Sequence, residues 1–270
     1  MPVRQFRSCL PLCAVLAMTL TVTPVIALAQ QQEDPINADR PDFVDSSDVV
    51  GKGTLQVEMG MAVERNRADG TKERTTSTPL LLRLGVTDTL ELRAETDGRM
   101  RYRADGADFA RERGWGDATL GVKWHARDGA DGWPSLGVIV EADVDSGSAA
   151  FRGSGVQPAV SIAAEWELAN GYSLGVMPGV GRMTDDDGSH AGYGYVGIVL
   201  DKAWTDRFRT FVEFAAPQIV KARHGGTQAQ VDLGAAWLLT RDCQLDAMLT
   251  RGLNNRTPDY AFTVGVSIRL

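Results

Sequence analysis

Apolar and polar residues alternate along most of the chain beyond residue 53. In residues 55–63 every second side chain is apolar, from Leu55 to Val63, and the positions between them are polar or small. Successive side chains of a strand point to opposite faces, whereas a helix would spread these apolar residues around its circumference. The pattern therefore predicts a strand with one apolar face and one polar face.

The same alternation continues to the last residue of the chain. Tyr260, Phe262 and Val264 begin an apolar set that ends at Leu270, with small or polar residues between its members. A closed barrel pairs its last strand with its first, so a terminal strand patterned to its end favours closure. The stretch is similar to the C-terminal recognition strand of bacterial outer-membrane proteins, which usually ends in Phe. We therefore expect the barrel-assembly machinery to be a partner through this strand.

The connections between the predicted strands alternate in length. Twelve strands are predicted, with short turns at residues 87–88, 127–133, 169–171, 204–206 and 240–242. Longer loops are predicted at residues 65–74, 99–113, 146–155, 183–190, 217–227 and 253–258. Short turns at one end and long loops at the other are typical of outer-membrane barrels. The fold class predicted is all-β, an antiparallel up-and-down transmembrane β-barrel of about 12 strands. In one strand either Tyr193 and Tyr195 or the set beginning at Val196 faces lipid.

The first 52 residues differ from the rest of the chain. Arg4 and Arg7 precede the apolar residues 10–28, and Ala27 and Ala29 place small residues at a cleavage site. Residues 1–29 are predicted to be a secretory signal peptide, with an uncleaved membrane anchor as the alternative. Residues 30–52 are polar and acidic, and they form either a periplasmic tether or a partial plug of a barrel spanning residues 53–270. The plug candidates are Asp39, Arg40 and Asp42.

Charge and cysteine content exclude several classes of protein. Lys and Arg number 28 against 35 Asp and Glu, a formal net charge of -7, so a basic nucleic-acid-binding face is not expected. After signal-peptide removal only Cys243 remains, which excludes an intramolecular disulfide. No metal-ligand spacing or catalytic motif is present, so neither a metal nor a cofactor is expected.

Several segments resemble one known family. They are residues 37–43 (NADRPDF), 51–58 (GKGTLQVE), 78–93 (TPLLLRLGVTDTLELR), 116–123 (GDATLGVK) and 211–214 (FVEF). Together they resemble the outer-membrane transporter family named for the meta-cleavage pathway of phenol degradation, over about residues 37–270. The resemblance implies an outer-membrane barrel, and more weakly a phenolic cargo.

If the apolar faces meet lipid, the opposite faces line a lumen. The acidic candidates for this lining are Glu58, Glu91, Glu95, Asp117, Glu141, Asp143, Glu165, Glu213, Asp232 and Asp246. The basic and titratable candidates are Arg83, Arg93, Lys123, His125, Arg209 and Arg269. An excess of acids predicts a modest cation preference. The alternative is that ion pairs such as Arg83 with Glu91, or Arg93 with Glu58, cross-link the wall and block the bore.

The sequence thus predicts a channel in the cell outer membrane. Its solutes would be small, including hydrophobic or aromatic compounds, and they would diffuse passively through an acidic polar lumen. Outer-membrane lipid and lipopolysaccharide are expected partners, and no enzyme activity is expected. Two alternatives stay open: an occluded barrel with a structural or adhesive role, and a barrel hydrolase using Asp187 and His190.

Overall fold

The computed structural model describes residues 34–68, 70–106, 109–185 and 188–270. The predicted signal peptide, residues 1–29, lies outside these residues. Alternating side chains and polar connections produce an all-β structure. The strands are β1 Leu55–Ala68, β2 Thr71–Ser77, β3 Leu80–Thr87, β4 Leu90–Thr96, β5 Arg99–Asp105, β6 Ala110–Trp115, β7 Ala118–Arg127, β8 Ser135–Val144, β9 Gln157–Glu167, β10 Tyr172–Thr184, β11 His190–Thr205, β12 Phe208–Ile219, β13 Gln228–Thr240, β14 Cys243–Gly252 and β15 Tyr260–Arg269. Two 3-10 turns span Ala169–Gly171 and Ala222–His224.

The strands close into one antiparallel barrel, because β15 pairs with β1 through residues 56–65 of β1. Three wall strands are interrupted once each: β3 continues β2 across residues 78–79, β4 leads into β5 across residues 97–98, and β6 leads into β7 across residues 116–117. Each interrupted pair counts as one wall strand, so the 15 segments of the sheet make a barrel of 12 strands. The prediction of a 12-stranded barrel is confirmed.

The two faces of the wall are inverted relative to a water-soluble protein. Large apolar side chains lie outside, and Leu233 is 57% exposed and Leu120 54% exposed. Most of the large side chains that are fully buried are charged, including Lys123, Glu91 and Asp232, each 0% exposed. In β11 the inward side chains are Tyr193 and Tyr195, while Val196, Ile198 and Leu200 lie outside, which resolves the choice that the sequence left open.

Two of the predicted loops are strands. Residues 65–74 continue β1 and β2 into a long hairpin, and residues 99–113 form β5 and most of β6. Strand order at this end is β1-β2-β5-β6. The loop prediction rested on the density of charged residues, but an extended strand needs only backbone partners on its edges. Neighbouring strands supply those partners here.

No helix among the described residues has the length and apolarity to cross a bilayer.

Candidate functional site in the barrel interior

Residues 34–50, which we call the inner segment, lie against the polar inner face of the wall. Ile36, Val44 and Val50 are each at most 6% exposed, although they belong to no strand. The wall has glycines where the segment passes. An added Cβ at Gly85 would meet Gly51 O at 2.0 Å, and one at Gly137 would meet Ser47 O at 2.7 Å. These glycines allow backbone to approach backbone, as a closely packed segment requires.

Four wall glutamates accept hydrogen bonds from backbone amides of the inner segment. Glu58 accepts from Asp39 N and Arg40 N at 3.2 and 2.9 Å, and Glu213 accepts from Phe43 N and Val44 N at 2.9 and 2.8 Å. Glu165 accepts from Ser47 N at 2.5 Å, and Glu91 accepts from Val50 N at 2.8 Å. A chain without secondary structure must satisfy its buried amides some other way. Charge-assisted bonds to carboxylates do so here.

Asp39 lies at the centre of a buried ionic cluster. Its carboxylate is 2.8 Å from Lys123 Nζ and 3.3 Å from Arg83 Nη1, and it also contacts Arg93 Nη1. Arg83 in turn binds Glu91 at 2.9 Å and Glu58 at 3.3 Å. Burial alone would raise the pKa of Asp39, but the cations Arg83, Lys123 and Arg93 hold that pKa well below its usual value. Asp39 is therefore ionised and paired with the wall.

The two other plug candidates also contact inward-facing residues. Arg40 Nη2 lies 3.2 Å from Asp246 Oδ1 and 3.1 Å from Thr263 Oγ1. Asp42 lies 3.3 Å from Arg209 Nη1, which also contacts Asp201. Burial, only partly offset by Arg209, raises the pKa of Asp42 to about 7.

Of the two cross-strand pairs named from sequence, one is present. Arg83 and Glu91 are in contact, whereas Arg93 contacts Glu91, Asp39 and Asp45, and the pair that includes Glu58 is formed by Arg83. The side chains that sequence reasoning missed are those of Asp45 and Ser47. Ser47 Oγ donates to Glu165 at 2.5 Å, and His125 Nδ1 lies 3.0 Å from Ser47 O. Their only sequence signal was membership of the polar N-terminal stretch.

The remaining predicted lining residues divide into two groups. Glu95, Glu141, Asp143 and Asp232 lie on inward positions of the wall; Asp143 accepts from Thr119 Oγ1, and Asp232 accepts from Gln230. Asp117 and Arg269 lie at the two ends of the wall. The Asp117 carboxylate accepts hydrogen bonds from the backbone amides of Ser146, Gly147 and Gly153 in the loop after β8. Arg269 Nε donates to Asp242 at 2.8 Å beside the turn after β13.

The histidines at the long-loop end form local contacts. His190 Nδ1 is 3.1 Å from Thr184 Oγ1, and His224 Nδ1 is 2.5 Å from Asp185 Oδ2. Asp187, the partner in the hydrolase alternative, lies outside the described residues. No cluster of three or more potential metal ligands occurs within the described part of the chain.

The fold is similar to those of several solved structures. An outer membrane channel from Pseudomonas putida F1 matches with a TM-score of 0.63 and 13% identity, covering 87% of this chain and 100% of that one. The beta domain of the Bordetella autotransporter BrkA has a TM-score of 0.54 and 11% identity, over 80% of this chain and 99% of that one. The NanC porin has a TM-score of 0.50 and 12% identity, over 80% of this chain and 100% of that one. These likenesses show that the chain has the fold of outer-membrane barrels.

No curated protein sequence is significantly similar to this chain. A family match does exist, and it includes the twelve-stranded wall and most of the inner segment. The chain belongs to the family described as "Putative MetA-pathway of phenol degradation", which matches residues 38–270.

Proposed function

We propose that this protein is an outer-membrane channel for small solutes in which the inner segment controls passage. The observation that carries the proposal is the set of wall carboxylates, Glu58, Glu91, Glu165 and Glu213, that bind backbone amides of residues 39–50. A flexible tether would leave its amides in water. The hydrogen bonds of this segment to the inner face of the wall support a partial plug.

The outer face of the wall supports the membrane location. Exposed apolar residues recur on all of the wall strands, from Met61 on β1 to Phe262 on β15. A continuous apolar surface of this kind is costly in water and is favourable in lipid. A bilayer core therefore fits the middle of the wall, and the barrel leaves no unpaired strand edge inside it.

The family description supports phenolic and other small aromatic compounds as the cargo. Such solutes are compact and partly apolar, so they need only a narrow path. Passage would be passive, because nothing in the described part of the chain suggests coupling to an energy source. The hydrolase alternative named Asp187 and His190, and the described contact of His190 is with Thr184. His224 contacts Asp185 through Nδ1 and accepts from Arg223 Nε through Nε2, which leaves neither ring nitrogen without a partner.

Conductance in planar lipid bilayers tests the role of the inner segment. Deletion of residues 30–48 removes the Asp39 cluster and most of the glutamate-bound amides, so the current per protein should rise. Deletion of residues 30–33 alone is the matched control and should leave the current unchanged. Equal currents from both deletions would show that the segment does not limit passage.

Uptake into proteoliposomes tests the cargo. We expect faster entry of neutral phenols than of sugars or of benzoate-type anions of similar size, and faster entry still in the deletion variant. If neither solute uptake nor current appears in the wild-type protein or in the deletion variant, the channel function is wrong. That result would favour a structural or adhesive barrel.

A further inference from the structure

The hairpins at the long-loop end carry an unusual density of cations on their outer face. Nine of the chain's 28 Lys and Arg residues lie on outward positions of β1, β2, β5 and β6. We call this set, together with Arg251 on β14, the basic face. Its members, all exposed, are Arg65, Arg67, Lys72, Arg74, Arg99, Arg101, Arg103, Arg111, Arg113 and Arg251.

The strand register places five of these arginines in a single row. Arg251 lies opposite Tyr260, Tyr260 opposite Arg65, and Arg65 opposite Arg74. The row continues because Arg74 lies opposite Arg103, which lies opposite Arg111. Neighbouring strands are spaced by about 4.8 Å, so the row extends for roughly 24 Å around the barrel.

Like charges directly opposite each other on neighbouring strands repel and destabilise the sheet. Little within the described residues neutralises this row. Arg103 binds Asp105, and Arg251 lies 3.8 Å from Asp259, but Arg65, Arg74 and Arg111 form no ion pair with a described carboxylate. A depression of about 640 Å³ beside Tyr260 is lined by five cations and three acids, so cations are in excess. The cations are Arg65, Arg67, Lys72, Arg74 and Arg103, and the acids are Glu73, Asp105 and Asp259. A row in which most guanidinium groups lack a carboxylate partner, beside a depression with an excess of cations, fits an anionic ligand from outside the chain.

The position of the row selects the kind of anion. Arg65 follows Val63 by two residues on the same face of one uninterrupted strand, and Phe262 lies below Tyr260 on the next strand. The apolar band therefore ends where the arginines begin. A ligand that contacts both surfaces carries acyl chains against the band and negative groups level with the arginines.

We infer that the basic face binds the phosphate groups of lipopolysaccharide, the glycolipid of the outer leaflet, while the acyl chains of the same molecule pack on the apolar residues below. Arginine is suited to this role because its planar guanidinium binds phosphate oxygens in pairs. The inference rests on the proposed outer-membrane location but not on conduction.

Titration of the refolded, detergent-solubilised protein with purified lipid A tests the inference, with bound lipid counted by native mass spectrometry. The wild-type protein should bind diphosphorylated lipid A at least tenfold more tightly than the dephosphorylated form, and added salt should weaken only the former. The triple variant Arg65→Gln, Arg74→Gln, Arg103→Gln should lose most of this preference. The matching Lys triple variant should retain a substantial part of it.

The matched control removes three cations from the opposite end of the barrel, Arg127→Gln, Arg207→Gln and Arg241→Gln, and should bind as the wild type does. Equal binding of phosphorylated and dephosphorylated lipid by the wild type would overturn the inference, even if the Gln triple variant did not fold. So would displacement by millimolar inorganic phosphate, which would indicate a site for free anions. Membrane fractionation tests the location separately, so a protein that reaches the outer membrane yet shows no phosphate preference contradicts this inference alone.

Discussion

Replacement of Asp39 should weaken the binding of the inner segment to the wall more than any other single change in that segment. Asn at this position would remove the negative charge that faces Arg83, Arg93 and Lys123. Breaking one side of a buried ion pair typically costs about 3–5 kcal/mol, because the remaining charges stay desolvated. We expect Asp39→Asn to release the segment from a barrel that still forms.

Limited proteolysis of the folded barrel measures this release. In the wild type, cleavage within residues 34–50 should be slow, and in Asp39→Asn it should be at least tenfold faster. Asp34→Asn is the matched control, because Asp34 is exposed, and it should cleave at the wild-type rate. Equal cleavage rates in the two variants would mean that the ionic cluster does not hold the segment.

Two aspartates of the inner segment determine how its binding to the wall, which we call docking, depends on pH. The pKa of Asp39 is well below its ordinary value in the docked state, so its contribution is complete above about pH 4 and is lost only as the pH falls through that lower pKa. The pKa of Asp42 is raised to about 7, so the docked state binds a proton more readily than the released segment does. Between pH 7 and pH 5 this second effect strengthens docking. We expect current and proteolysis at pH 5 to be no greater than at pH 7.5, and a marked increase on acidification would contradict both assignments.

Sequence reasoning assigned the charged residues of the wall to one face but could not identify their partners. Arg83 and Arg93 were both expected inside, yet which of them binds Glu58 depends on the stagger between β1, β3 and β4. The hydrogen bonds from backbone amides to Glu165 and Glu213 depend in addition on the path of the inner segment, whose sequence has no periodic pattern. Alternation specifies a face, whereas contacts across the bore need the three-dimensional register.

Strands were predictable wherever one face meets lipid and the other is polar. The prediction was wrong for β2 and β5, where the outer face is charged because the strands extend beyond the apolar band. In β2 both faces are polar, so the amphipathic signal that identifies a wall strand is absent. β5 does alternate, but its arginines lie outward and Met100, Tyr102 and Ala104 inward, the reverse of a strand that meets lipid. The interruption between β6 and β7 is visible in the sequence, because the apolar residues shift from odd-numbered to even-numbered positions near Asp117.

The packing of the inner segment against β3 can be tested at Gly85. An Ala there would bring its Cβ within 2.0–2.7 Å of backbone atoms of Val50 and Gly51, which cannot move aside as a side chain does. In a strand, Gly→Ala normally stabilises slightly. We therefore expect Gly85→Ala to leave the barrel heat-stable in detergent while residues 34–50 become sensitive to protease. Gly192→Ala is the matched control, because its Cβ would have no neighbour closer than 3.9 Å. Unchanged protection in Gly85→Ala would mean that the segment packs differently at residues 50–51.

The whole interior can be viewed as a charge balance between wall and segment. Near Asp39 the balance is nearly even: Asp39, Asp45, Glu58 and Glu91 face Arg83, Arg93 and Lys123. Farther along the wall the balance is uneven, because Glu95, Glu141 and Asp143 form no ion pair with a described cation. Glu95 lies on β4 and the other two lie on β8, so only β7 separates these carboxylates. Removal of the segment would leave these carboxylates facing the bore, together with the wall glutamates that had bound its amides.

Ion selectivity of the segment-deleted channel should therefore depend in large part on Glu95, Glu141 and Asp143. In a salt gradient, the deletion variant should show a reversal potential of cation-selective sign, and the added changes Glu95→Gln, Glu141→Gln and Asp143→Asn should reduce that potential by roughly half. Neutralising three exposed acids of the short turns, with Asp88→Asn, Asp131→Asn and Asp206→Asn, removes the same charge from outside the bore and should change little. An anion-selective potential, or an equal loss in both triple variants, would show that the inward carboxylates do not control the ions in the bore, because a field that acts on permeating ions must come from groups that face their path.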